Sequence, residues 1–190
     1  FVEERCGKRI RSIVGEVPSK RVIERVALAL DAFEKGRYAE ARRIILPVSR
    51  ECEGVEFIHE IAGLSLYRTG SWRDAAEHLE AARGLSAGST LNHPMLADCY
   101  RALKRYDKVD ELWKELKDAS PDAAIVAEGR IVAAGALADK GDLQAAVRIM
   151  EQARKDPSKV REHHLREWYV LADLYDLSLI HISEPTRRYA

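Results

Sequence analysis

Small and apolar positions recur along the chain with a period of about 34 residues. Four stretches share the pattern: FEKGRYAEARRI, YRTGSWRDAAEHL, RALKRYDKVDELW and LADKGDLQAAVRIM. Each contains a turn residue, then an aromatic residue or leucine, then a small residue three positions further on. The turn residues are separated by 34, 34 and 37 positions: Gly36, Gly70, Lys104 and Gly141. This period predicts repeated units of two helices each, with helix breaks near these four residues.

Within each unit the apolar residues have helical spacing. In the first helices they stand three or four positions apart, as in Ala62/Leu66, Ala97/Tyr100 and Leu171/Tyr175. Residues at this spacing share one face of a helix. The second helices carry a small residue that allows close approach: Ala41, Ala75 and Ala146. An all-α fold is therefore predicted, and an irregular bundle is disfavoured because bundles lack a fixed period. Lys104 replaces glycine, which predicts a tighter or slightly strained turn there.

The repeated residues resemble those of the tetratricopeptide-repeat family, whose pattern reads W-x2-L-G-x2-Y, then A-x3-F, then P. The stretch WYVLADLY matches through Trp168, Leu171 and Tyr175, and departs only by Ala172 in place of glycine. HEIAGLSL, HPMLADCY and RIVAAGAL match in part, and Pro121 closes the third unit. The resemblance is to bacterial-type members and spans residues 22–176. It implies an α-solenoid of stacked antiparallel helix pairs, with about four full repeats and the first helix of a fifth.

The same resemblance implies a concave groove, lined by the first helices, that holds a peptide or helix of a partner protein. Mapped onto this chain, the groove residues are Glu60, Leu64, Tyr67, Arg68, Asp98, Arg101 and Glu128. One subgroup of the family clamps a terminal carboxylate with lysine and asparagine. Here Leu64, Asp98 and Gly135 occupy the asparagine-type places, so a carboxylate clamp is not expected. For each groove residue taken alone, the simpler alternative is a solvated surface side chain.

The composition of the chain disfavours some classes of function. The chain has 31 basic and 31 acidic residues, so no strong nucleic-acid binding is expected from residues 22–176. The sequence contains no run of 18 apolar residues, so no membrane span is predicted. The three cysteines, Cys6, Cys52 and Cys99, are odd in number and widely spaced, which favours a reducing cytoplasm. They are expected to be buried small residues.

Two stretches resemble catalytic or metal-binding motifs only formally. GLSAG, around Ser86, matches the nucleophile elbow, but that motif needs a strand before it and a helix directly after. It is interpreted as a loop between repeats. REHHLRE places His163 and Glu167 on one helix face, but two ligands do not make a metal site, and a solvated face is expected. No phosphate-binding glycine loop and no C-x-x-C occur, so the chain is predicted to be a non-enzyme without cofactor or metal.

Both ends of the sequence affect how it is interpreted. The string LSLIHISEPTR, residues 177–187, resembles the translated transposase adapter of sequencing libraries, so residues 177–190 are expected to be an artefactual tail. The last helix is expected to extend to about Ile180, with disorder from Ser183. The start lacks methionine, which suggests a fragment, and residues 1–21 form a basic segment. That segment is interpreted as a linker or a nucleic-acid-binding arm.

Three functional hypotheses follow. The favoured one is a protein–protein interaction scaffold that binds a peptide or helix in its groove. The second is a regulatory or binding module of a larger protein, for example a transcriptional regulator, whose effector domain lies outside this chain. The third is an accessory domain of an enzyme. A further domain in the complete reading frame would distinguish them.

Overall fold

The computed structural model describes residues 1–119, 122–153 and 157–183, with side chains as far as residue 178. This part of the chain is all-helical and contains no strand, which confirms the prediction of an all-α protein. A π-helical turn at Glu3–Gly7 precedes the α-helices. These are α1 Lys8–Val14, α2 Glu16–Glu34, α3 Tyr38–Glu51, α4 Glu56–Arg68, α5 Trp72–Leu85, α6 His93–Ala102, α7 Tyr106–Ala119, α8 Ala123–Asp139, α9 Leu143–Met150 and α10 Glu162–Ser183. They fall into two compact units, Phe1–Leu103 and Lys104–Ala190.

The four predicted breaks all lie between helices. Gly36, Gly70 and Gly141 have φ values of +74°, +75° and +86°. The same capping hydrogen bond follows each glycine. The backbone N–H of the residue after the glycine donates to the carbonyl of the residue five positions before that donor. The N–H of Arg37 binds the carbonyl of Ala32 at 2.8 Å, and the two other turns repeat this at 3.0 Å. This is the Schellman cap, which requires a left-handed residue after the helix.

Lys104 adopts the same left-handed backbone as the turn glycines, with φ of 58°. A side chain in this region is disfavoured by contact between its Cβ and the neighbouring backbone. Lys104→Gly is therefore expected to stabilise the protein by about 0.5–1 kcal/mol. The control Lys114→Gly lies on the exposed side of α7 and should instead cost about 0.5–1 kcal/mol. Urea denaturation measures both, and a loss of stability in Lys104→Gly would contradict the strained turn.

In the first unit, α2 packs on α3 and α4 packs on α5. Three-residue turns join these helices, so each pair is antiparallel. The predicted small residues Ala41 and Ala75 are fully buried. On α4, Gly63 allows close contact, because a Cβ built there would lie 2.7 Å from Leu79 Cγ. The first helices of successive pairs also meet, α2 with α4 and α4 with α6.

Residues 1–14, called here the N-terminal segment, pack into the core of the first unit. Val2, Cys6 and Ile10 are buried against apolar residues of α2 and α4. The expected boundary between residues 21 and 22 lies inside α2. The segment is thus a packed helical element, and two of its arginines have partners. Arg11 pairs with Glu3, and Arg9 donates to the carbonyl of Gly54.

In the second unit, α8 packs on α7 and α9, and α10 packs on both α8 and α9. Ala146, Met150 and Leu174 form one buried cluster of this unit. Leu174 is only 4 % exposed because it faces α8 and α9. Tyr175 and Leu177 remain 40 % and 50 % exposed, on a side of α10 that these helices do not cover.

Helix α10 continues past the expected end at Ile180 and reaches Ser183. The predicted disorder from Ser183 onward concerns residues 184–190, which lie outside the described residues. Among the helices that are described, none combines the length and apolar character needed to cross a bilayer.

The cysteines confirm the prediction of buried small residues. Cys6, Cys52 and Cys99 are all buried and outside disulfides. Burial raises the pKa of the Cys6 thiol to about 11 and that of Cys99 to about 12. Because the thiolate is the reactive form, very little of the reactive form of Cys6 and Cys99 is present at neutral pH.

Candidate interaction face

The predicted groove residues of the first unit lie on α4 and α6, which pack side by side. Successive turns of α4 carry Glu60, Leu64 and the adjacent pair Tyr67 and Arg68, and α6 carries two more residues. We call this surface the α4–α6 face: Glu60, Leu64, Tyr67, Arg68, Asp98 and Arg101. Most of it is half-buried, and Arg68 is exposed.

At the centre of the face a hydrogen bond connects the two helices. The Tyr67 hydroxyl donates to Asp98 Oδ2 at 2.8 Å, and Arg101 Nη1 lies 3.9 Å from Asp98 Oδ1. Burial raises the pKa of Tyr67, and the nearby Asp98 carboxylate raises it further. Tyr67 therefore remains a protonated donor.

Aromatic and cationic side chains lie at one end of the α4–α6 face. Trp72 packs edge-on against Tyr67, with ring centroids 5.4 Å apart. The Arg68 guanidinium carbon lies 5.4 Å from the centroid of the Tyr38 ring. Tyrosine, tryptophan and arginine are the residues that most often dominate protein–protein binding energy. This end of the face therefore has the composition of a protein-binding surface.

At the other end, Glu60 is engaged by two other parts of the chain. Arg5 Nη2 lies 3.4 Å from Glu60 Oε2, and Asn92 Nδ2 donates to Glu60 Oε1 at 3.2 Å. The Arg5 guanidinium carbon lies 4.8 Å from the centroid of the Phe57 ring. A cavity of about 830 Å³ opens here between the N-terminal segment, the start of α4 and the loop after α5.

The seventh predicted groove residue, Glu128, lies on α8 in the second unit. Arg166 of α10 pairs with it, with Nη1 to Oε1 at 2.6 Å. Burial raises the pKa of Glu128, and the nearby Glu162 and Glu167 add to this while Arg166 opposes it. Glu128 is thus part of a charged cluster that links α8 to α10.

The structure corrects the interpretation of His163 and Glu167 as a solvated face. Glu167 is only 3 % exposed and forms an ion pair with Arg130 of α8. Its burial follows from the side of α10 that packs on α8. Across the described ranges, histidine, cysteine, aspartate and glutamate form no group of three or more that could hold a metal ion.

Ser86 lies in the loop expected for it. It caps the end of α5, and its hydroxyl donates to the carbonyl of Arg83 at 2.8 Å. The element before it is a helix rather than the strand that a nucleophile elbow needs.

Sequence patterns did not reveal a partly buried histidine pair. His59 of α4 and His78 of α5 approach with their Nδ1 atoms 3.0 Å apart, and His59 Nε2 lies 2.9 Å from the carbonyl oxygen of Glu53. A carbonyl accepts only, so His59 Nε2 carries the proton. In the tautomer with a free Nδ1 lone pair, His59 accepts there and His78 donates from its own Nδ1. The one feature of the sequence that points to this contact is the separation of 19 positions between the two histidines. Such a separation can bring residues on the two helices of an antiparallel pair opposite each other.

The histidine pair predicts that stability depends on pH. Burial lowers the pKa of His78 below its ordinary value of 6.5, and His59 lowers it further, while Asp74 opposes the shift. Below pH 6.5 His78 takes up a proton in the unfolded chain more readily than in the folded chain. The free energy of unfolding therefore decreases as the pH falls. The wild type should therefore lose more stability than His78→Gln between about pH 7.5 and 5.5. Urea denaturation at both pH values tests this, and parallel losses would contradict it.

Comparison with known proteins assigns the chain to no family. It matches no family model, and no curated protein shows significant similarity to it.

Proposed function

We propose that residues 22–176 form a tetratricopeptide-type stack that binds a segment of another protein on the α4–α6 face. One observation carries this proposal: the first helices of successive pairs, α2, α4 and α6, lie next to one another in the first unit. Such an arrangement turns one side of each first helix toward a common surface. A segment of a partner can contact several helices there at once.

The side chains of this surface support a protein partner. Tyr67, Trp72 and Arg68 offer aromatic and guanidinium groups, and Asp98 with Glu60 supplies acidic acceptors. The chain also balances 31 basic against 31 acidic residues, which disfavours a nucleic-acid backbone as the ligand. The proposed role is therefore a non-enzymatic interaction scaffold, in keeping with the expected cytoplasmic location.

A peptide-display selection against the full chain tests this function. Peptides selected on the wild type should lose about tenfold or more in affinity for Arg68→Glu, since hot-spot residues contribute at least this much. The matched control is Arg73→Glu, which makes the same charge change at an exposed position of α5. Equal losses in both variants would contradict binding at the α4–α6 face.

A further inference from the structure

We infer that Phe57, Glu60 and Asn92 form a binding subsite for arginine, which Arg5 occupies within the chain and which an arginine of the partner takes over on binding. This inference rests on the proposed function, because it assigns the chemistry of the partner at one end of the α4–α6 face.

The geometry is that of guanidinium recognition. The Arg5 guanidinium carbon lies 4.8 Å from the centroid of the Phe57 ring, and one nitrogen lies 3.4 Å from the Glu60 carboxylate. Phe57 is 8 % exposed, so its ring is held firmly by the core. Asn92 binds the second oxygen of Glu60 and fixes the orientation of the carboxylate. A planar guanidinium can stack on a ring and bind a carboxylate at once, which a lysine ammonium does less well.

Arg5 can leave this subsite without unfolding the segment that carries it. Its side chain is 48 % exposed, and its ion pair with Glu60 is partly open to water. The N-terminal segment is instead anchored by Val2, Cys6 and Ile10, whose exposed fractions are 8 %, 4 % and 0 %. Loss of the Arg5 contact therefore leaves the apolar anchor intact.

The adjoining cavity favours a basic segment as the occupant. Glu4 and Glu56 line it together with Glu60, while Arg9 is bound to the carbonyl of Gly54. Leu85 and Leu91 lie on its rim and are 42 % and 56 % exposed. A volume of about 830 Å³ accommodates several side chains. The cavity thus fits a partner segment with an arginine for the subsite and an apolar residue for the rim.

The test uses N-acetyl-L-arginine methylamide as probe and the chain of residues 1–190 as target. The probe is titrated by NMR into wild type, Arg5→Ala and Arg5→Ala/Glu60→Gln, and the side-chain amide of Asn92 is the reporter. Arg5→Ala should bind the probe about tenfold more tightly than wild type. In wild type the Arg5 side chain occupies the subsite, so the apparent affinity for the probe is reduced in proportion to the fraction of molecules whose subsite is free. The double variant should lose this gain, and the matching lysine probe should bind Arg5→Ala more weakly than the arginine probe.

Equal binding by wild type and Arg5→Ala would overturn the inference, as would binding by Arg5→Ala that does not depend on Glu60. Arg5→Gln serves as a second variant with the same expected outcome if Arg5→Ala melts at a lower temperature than wild type. The probe needs no protein partner. A failure here is therefore distinct from a failure of the Arg68→Glu experiment, which tests the α4–α6 face itself.

Discussion

Glu167→Gln is expected to destabilise the second unit by about 3–5 kcal/mol. Glu167 is 3 % exposed and its partner Arg130 is 16 % exposed, so the ion pair lies largely out of water. Arg130 Nε already lacks a hydrogen-bond partner in the structure. Removing the carboxylate charge leaves a buried guanidinium uncompensated, and this is the costly step.

The matched control for this prediction is Arg166→Gln, which removes one charge from the neighbouring bridge between α8 and α10. The Arg166 side chain is 55 % exposed, so its pair with Glu128 should contribute less than about 1 kcal/mol. Urea denaturation measures both variants. The double variant Arg130→Leu/Glu167→Leu should recover much of the loss, because a buried pair replaced by apolar residues is often neutral. Similar small effects of Glu167→Gln and Arg166→Gln would contradict a buried ion pair.

Gly63→Val is expected to destabilise the first unit by about 3 kcal/mol. A Cβ at this position would lie 2.7 Å from Leu79 Cγ and 3.2 Å from the Leu79 backbone nitrogen. The side chain of Leu79 can move, but it is 1 % exposed and the backbone of α5 cannot retreat without opening the helix pair. Overpacking of this kind forces strained rotamers or a shift of the helix.

Gly84→Val supplies the control for Gly63→Val. Gly84 lies near the end of α5, and apart from its chain neighbours and the adjacent backbone of its own helix no atom would lie within 4 Å of a Cβ there. The same substitution should therefore change stability by about 0.5 kcal/mol or less. Thermal and urea denaturation compare the two variants. Comparable losses would show that the tight contact between α4 and α5 is absent.

The turn positions could be predicted because they depend on local chemistry. A helix that ends in a left-handed residue favours glycine, and three of the four breaks carry it. The fourth, Lys104, was located by the period alone, and it adopts the same backbone despite its side chain. The groove residues on α4 and α6, by contrast, were mapped from the resemblance to the tetratricopeptide-repeat family, and their role stays a prediction.

Other features could not be predicted because they depend on contacts between residues far apart in sequence. Arg5 reaches Glu60 across 55 positions, and Arg130 reaches Glu167 across 37. Periodicity shows which side of a helix is apolar, but it does not reveal that a charged residue on that side will find a buried partner. For this reason Glu167 was expected in solvent and the N-terminal segment was not expected to meet the α4–α6 face.

Photo-crosslinking tests the proposed binding surface most directly. A photoreactive benzoylphenylalanine is placed at position 68 of the full chain, and in a separate sample at position 73, and each is irradiated with a peptide selected on the wild type. Both positions are exposed, but only Arg68 belongs to the α4–α6 face. We expect a strong crosslink from position 68 and little from position 73. A crosslink that forms mainly from position 73 would contradict it.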